Sequence, residues 1–215
     1  LNSIKGISLR SLRSLVSFRG NSFDNKYHAF VAAKECGINI SVLAALIQAG
    51  TMDSNTDNRI RLVLEAQSFN LLTDREKRNL DKLGDKYNFD VLDSIADIVD
   101  KQTLGDDNRP IMKPSRFETF KKKFDNYRSI YNENKKHHKF TYWWYENSLL
   151  GYSYSFGLTD CFSDEYGMLT NLKESNSLSQ GSSFKCVCQV KDCFTRTSRN
   201  GNKYMMIFGS DNTSD

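Results

Sequence analysis

The chain has 215 residues and a formal net charge of +4. That length suits one large domain or two small ones, and so mild a charge does not of itself demand a nucleic acid. No run is apolar enough to span a bilayer, no charged-then-apolar leader opens the chain, and five irregularly spaced cysteines are no disulfide framework.

The distribution of charge says more than its sum. Basic residues gather in Lys5–Arg19, Lys113–Lys139 and Lys185–Lys203, and Asp74–Asp107 is acidic overall. Separated basic blocks read either as a segmented electrostatic footprint or as solvated faces. Leu1 to Arg19 places Ile4, Ile7, Leu12, Leu15 and Val16 on an apolar pattern, leaving Lys5, Arg10, Arg13 and Arg19 to face outward. Its opening, IKGIS before a helix, is the hairpin signature of a helix-hairpin-helix unit. A glycine turn there lets backbone approach a phosphodiester chain closely. Ser8 stands where a second glycine is usual, and an ordinary helix N-terminus is the alternative.

Tyr27 to Glu35 reads as a short helix, with His28 partly exposed on it. Then comes CGINISVLAALIQAGTMDSNTDNRIR, from Cys36 to Arg61. Gly37 turns the chain, Asn39 and Ser41 open a helix that Ser41 can cap, Val42, Leu43, Leu46 and Ile47 form its buried stripe, and Gly50 stops it. This second hairpin-like unit offers backbone N–H groups suited to a phosphate, with Asn58, Arg59 and Arg61 following. Two such units in tandem hold one duplex in fixed register.

Beyond Asn58, Ile60, Val63, Leu64, Leu71 and Leu72 supply a buried helical side, and Thr73 with Glu76 forms a capping box that starts a new helix. Asn88 to Lys101 is expected as a helix with Phe89, Leu92, Ile95, Ile98 and Val99 inside; Asp90, Asp93, Asp97 and Asp100 make a solvated acidic face in preference to a metal site. Thr103 to Pro114 holds both prolines and is a loop. Phe117, Phe120, Phe124, Tyr127 and Tyr131 form an aromatic stripe, read as core packing rather than nucleic-acid contact, and no metal is assigned to His137 and His138.

The remainder turns to β. In SFKCVCQV, strand alternation puts Phe184, Cys186, Cys188 and Val190 on one face, which makes core thiols in a reducing compartment a better account of Cys186, Cys188 and Cys193 than zinc. Asn200-Gly201 is a two-residue hairpin signal, and KYMMIFG is the returning strand. A small barrel takes about five strands, so the chain's end is expected to cut a domain, and Leu1 in place of Met suggests a fragment or a processed chain.

Taken in order, these segments resemble the C-terminal part of the catalytic subunit of bacterial replicative DNA polymerases of the polymerase III alpha type (family C). That family carries a run like IKGVG…R, here IKGIS…FR, and one like NKRVLEALIKAGAFD…NR, here NISVLAALIQAGTMD…NR. Its YEKELLGFYLSGHPL corresponds to YENSLLGYSYSFGL at Tyr145–Leu158, and its GKxxFVTLED to GNKYMMIFGSD. The family's HP is absent, since Phe156-Gly157 stand there, and Gln67-Ser68-Phe69-Asn70-Leu71 is a poor match to its sliding-clamp peptide.

The resemblance implies an α+β chain: tandem helix-hairpin-helix units at 1–66, a helical clamp-binding or linker-like region at 67–160, and the truncated start of an oligonucleotide-binding (OB) fold at 161–215. It implies duplex contacts from Lys5, Gly6, Ser8, Arg10, Arg13, Gly37, Asn39, Ser41, Asn58, Arg59 and Arg61, and single-strand contacts from Arg196, Arg199, Lys203 and Tyr204. No catalytic residue is expected. The carboxylates that hold two Mg²⁺ ions about 4 Å apart for nucleotidyl transfer belong to a palm on another polypeptide or sequence. The expected partners are double- and single-stranded DNA, that palm-and-fingers polypeptide and a sliding clamp, in the cytoplasm of a bacterial or phage-infected cell. A free-standing, non-enzymatic DNA-binding accessory or scaffold protein is the alternative, and a helical protein whose basic blocks meet an acidic partner protein is a third.

Overall fold

The computed structural model describes residues 4–53, 58–211 and 213. Leu1, the 54–57 stretch ahead of Asn58 and the last residues read above lie outside them. The fold is mixed α+β and mainly helical, in two compact units, Leu1–Lys136 and His137–Asp215. The expected boundaries at 66 and 160 fall inside these units.

The first unit runs α1 (Leu9–Arg19), α2 (Lys26–Glu35), α3 (Ile40–Gln48), α4 (Arg59–Asn70), α5 (Asp74–Lys82), α6 (Val91–Lys101) and α7 (Pro114–Asn134). Its centre is α4, which packs against α3, α6 and α7 and buries Ile60, Leu62, Val63, Leu64, Ala66 and Phe69. A helix apolar on so many sides can only be a central one. Hence Gln67–Leu71 is no free peptide: it closes α4, with Ser68 and Phe69 buried. Glu65 is also fully buried on α4, and Lys26 Nζ (2.8 and 3.0 Å) and Arg61 Nε (3.2 Å) hold its carboxylate. Tyr27 joins α2 to α6, its hydroxyl 2.7 Å from Ser94 Oγ and 3.1 Å from Asp90 O.

The capping box forms as read: Glu76 N–H donates to Thr73 Oγ1 and Thr73 N–H to Glu76 Oε2. Phe120 and Phe124 of the aromatic stripe are buried, while Phe117, Tyr127 and Tyr131 are half-buried. Three expectations are corrected. Val16 is 68 % exposed, because Ile4, Ile7 and Leu15 alone fill the inner side of that segment. The aspartates are not one solvated face: Asp90 caps α6 through Asp93 N–H, and the Asp97 side chain is only 4 % exposed. α6 also starts at Val91, leaving Phe89 outside it and half-buried.

Burial favours the neutral form of Asp97, but Lys101 Nζ at 2.6 Å and the Thr103 hydroxyl at 3.0 Å outweigh it and hold the carboxyl below the usual range. A depressed folded-state pKa contributes stability above the unfolded value that is lost as pH falls through the folded one. Asp97→Asn is therefore expected to be less stable than the parent at neutral pH, with the gap narrowing as pH falls below about 4, the ordinary carboxylate value. Urea unfolding at a series of pH values measures it; a gap independent of pH would refute the assignment.

The second unit comprises α8 (His138–Leu150), α9 (Leu158–Tyr166), α10 (Leu172–Ser175), β1 (Gln189–Thr197) and β2 (Lys203–Ser210). Trp143 is buried, and Phe140 stacks on it with ring centroids 5.6 Å apart while meeting Phe162 of α9 at 5.5 Å. The YENSLLGYSYSFGL segment has a physical centre in Glu146, which is fully buried. Ser153 Oγ (2.7 Å), Tyr154 N–H (2.8 Å), Ser155 N–H (3.0 Å) and Ser155 Oγ (2.5 Å) all donate to its carboxylate. Gly151, at φ +86°, ends α8 so that the chain can fold back onto that acceptor.

Strands β1 and β2 form an antiparallel ribbon, with register from Thr197 opposite Lys203 to Gln189 opposite Ser210 and a bulge between Val190 and Asp192. Its loop is not the expected two-residue turn. Gly201 has φ +82° but Asn200 does not share it, and Ser198 N–H donates to Asn202 O while Gly201 N–H donates to Ser198 O. That is a three-residue loop closed by a left-handed glycine. The core thiols are corrected too: Cys186 and Cys193 are exposed, since β1 begins only at Gln189 and no layer covers the ribbon among the described residues.

Candidate nucleic-acid interface

Two turns of the first unit share one construction. Gly6, at φ +88°, is followed by buried Ile7 and by Ser8, whose extended backbone opens α1. Gly37, at φ +78°, is followed by buried Ile38 and by Asn39, whose extended backbone opens α3. In each, a left-handed glycine reverses the chain, an isoleucine anchors the turn in the core, and a small polar residue starts the helix.

The turns differ in what they leave open. Nothing lies within 4 Å of where a Cβ on Gly6 would stand, and Lys5 and Gly6 are exposed. Ser8 does not cap its helix; its hydroxyl pairs with that of Ser11 at 3.2 Å. At the second turn, Gly37 N–H donates to Lys34 O (3.0 Å) and Ile38 N–H to Ala33 O (2.8 Å), completing the C-terminus of α2. The open amides there belong to the first turn of α3, where Asn39 Oδ1 takes Val42 N–H at 2.9 Å. Asn39, not Ser41, is thus the cap; Ser41 lies exposed one residue inside the helix. A Cβ on Gly37 would lie 3.5 Å from Ser14 Oγ of α1, so the second turn adjoins α1 about 9 Å along its axis from Ser8.

Arg10, Arg13 and Arg19 are exposed on α1 and, like Lys5, have no ion partner among the described residues. No acidic residue occurs from Ile4 to Phe23. The arginines after Asn58 are placed otherwise. Asn58 caps α4 through Ile60 N–H at 2.8 Å. Arg59 is 3 % exposed, and its guanidinium holds Asp53 through Nε (2.8 and 3.0 Å) and Nη2 (2.5 Å). Arg61 is bound to Glu65 and to Asp90. Both are committed to the fold, because the loop and α6 bring carboxylates to them.

On the ribbon, Arg196 stands directly opposite Tyr204, so both side chains share a face, whereas Lys203 falls on the other face and Arg199 in the loop. The face with Arg196 also carries Phe194 and Phe208, their rings 5.7 Å apart, with the Arg196 guanidinium 4.8 Å above Phe194. Tyr204 is 44 % and Phe208 48 % exposed. The sequence reading missed Phe194 and Phe208, although alternation counted from Tyr204 and Arg196 finds both.

No described helix is long and apolar enough to cross a membrane. Comparison with protein-family models, with curated proteins and with solved structures finds no match.

Proposed function

We propose that the first unit holds the sugar-phosphate backbone of duplex DNA, as the DNA-gripping portion of a replicative polymerase whose palm lies on other sequence. The paired turns at Gly6 and Gly37 carry the reading. They are exposed, built alike, and flanked by Lys5, Arg10, Arg13 and Arg19, which no carboxylate neutralises among the described residues. Left-handed glycines admit close approach, helix starts favour anions, and unpaired cations add the long-range attraction. Backbone contacts of this kind are indifferent to base sequence. The Arg196–Tyr204 face of the ribbon suits stacked, unpaired bases, which aromatic and guanidinium planes accept without regard to identity. Nucleotide addition itself would need metal-binding carboxylates, and the chain's role in it is to position product and template.

Exposed, unpaired cations give a clean test that Arg59 and Arg61 cannot, since altering those disturbs the fold. Lys5→Glu combined with Arg13→Glu is expected to weaken duplex binding about equally on unrelated sequences and to reduce the log–log salt slope by about two. Fluorescence anisotropy across a salt series reads both. Unchanged affinity with an intact fold would overturn the proposal.

A further inference from the structure

We propose that the free edge of β2 pairs with the same edge of a second copy of this chain, antiparallel about a two-fold axis at Met206, to give a four-stranded sheet. The inference does not rest on duplex binding and concerns the second unit alone. A two-stranded ribbon is marginal by itself, and this one leaves apolar side chains open on both faces. Met206 and Phe208 stand on the face with Tyr204, and Met205 (59 % exposed) and Ile207 (60 %) on the other. Every second residue of an edge strand also turns its N–H and C=O away from the ladder. Among the described residues, no element besides β1 bonds the backbone of 203–209.

The two edges of the ribbon are built differently. β1 carries Lys191, Asp192 and Arg196 and a bulge after Val190, devices that keep an edge from pairing. β2 has Lys203 at its start and then Tyr204, Met205, Met206, Ile207, Phe208 and Gly209, with no charge and no proline. Its sequence is also complementary to itself. Opposed side chains of an antiparallel pair share a face, so a two-fold axis normal to the sheet must fall on a residue. With the axis at Met206, Tyr204 faces Phe208 of the second copy, Met205 faces Ile207, and Lys203 faces Gly209. The aromatic pair lies on one face and the aliphatic pair on the other, and no lysine meets a lysine. An axis one residue away, on Met205 or on Ile207, sets Lys203 against Ile207 or Tyr204 against Ser210, and the aromatic pair is lost. Charge and register together select a second copy as the occupant. A pairing this short involves fewer residues than a standard interface, so association is weak.

Analytical ultracentrifugation of the whole chain, between about 1 and 300 μM, reads the association. A reducing buffer keeps the exposed thiols of Cys186 and Cys193 from linking copies. A monomer–dimer equilibrium with a dissociation constant of about 10 μM is expected. Met206→Lys and Met206→Glu each set like charges against each other across the axis and should weaken the dimer about tenfold. An equimolar mixture of the two variants should recover the parent's affinity, because opposite charges then meet. Circular dichroism and tryptophan fluorescence check that each variant folds, and recovery on mixing shows it independently. Thr195→Lys, on β1, should leave the dimer intact. A monomer at every concentration would overturn the proposal and leave the edge to a strand of other sequence. So would an undiminished dimer in Met206→Lys, no recovery on mixing, or loss of the dimer in Thr195→Lys. Loss of duplex binding in Lys5→Glu/Arg13→Glu touches none of these outcomes, so the two proposals fail separately.

Discussion

Glu146→Ala is expected to destabilise the second unit by about 4 kcal/mol, the largest single effect in this protein. The carboxylate is fully buried and accepts hydrogen bonds from the Ser153 and Ser155 hydroxyls and from the backbone N–H groups of Tyr154 and Ser155. Truncation takes that acceptor from Tyr154 N–H, Ser155 N–H and the Ser155 hydroxyl, while Ser153 Oγ keeps Phe156 O at 2.9 Å, so the cost falls on the turn's backbone as well as on the lost side-chain bonds. Glu146→Gln keeps one carbonyl acceptor and should cost about half as much. The measurement is convenient, because both tryptophans, Trp143 and Trp144, lie in this unit. Denaturant unfolding followed by tryptophan fluorescence reads the second unit alone. An unshifted midpoint in Glu146→Ala would show that the 153–155 turn is held by other means.

The second large effect belongs to the first unit. Glu76→Ala is expected to cost about 3 kcal/mol. Glu76 serves two partners: it closes the capping box on Thr73 N–H at 2.7 Å and takes Arg116 through Nε (3.1 Å) and Nη2 (3.0 Å). Arg116 also donates to Leu71 O at 3.1 Å, so one carboxylate ties the start of α5 to α7 and to the end of α4. Thr73→Ala removes only the cap and should cost about 1 kcal/mol. The difference between the two isolates the Arg116 arm, and a double-mutant cycle with Arg116→Ala should return a coupling above about 1 kcal/mol. Far-UV circular dichroism follows the loss, with tryptophan fluorescence unchanged. Equal costs for Glu76→Ala and Thr73→Ala would mean that the Arg116 bonds add nothing.

These effects sit on residues that a reading of the sequence treats unequally. The Thr73–Glu76 box was legible because its partners are three residues apart, and local geometry alone joins them. Glu146 was not singled out, although its donors lie within nine residues, because no simple spacing rule announces a carboxylate beneath a turn. Of the candidate DNA-contacting residues, Lys5, Arg10 and Arg13 kept the outward setting that their pattern implies, and Gly6 and Gly37 kept the left-handed turns.

What the sequence by itself determined is the set of local devices: the turns at Gly6, Gly37 and Gly201, the stop at Gly50, the Thr73 cap and the buried stripes of α3, α4 and α6. Each depends on backbone sterics or on partners a few residues away, and a linear reading carries that information. Only the tertiary structure decided which charges remain free. Arg61 meets Asp90 from 29 residues away and Glu65 meets Lys26 from 39, while Arg59 disappears behind Asp53 and Lys77 sets its ammonium over the Phe69 ring. A basic residue reads alike in sequence whether it ends in water, in an ion pair or in a cleft. The choice is made by desolvation and by whichever carboxylate the packing of distant helices brings within reach.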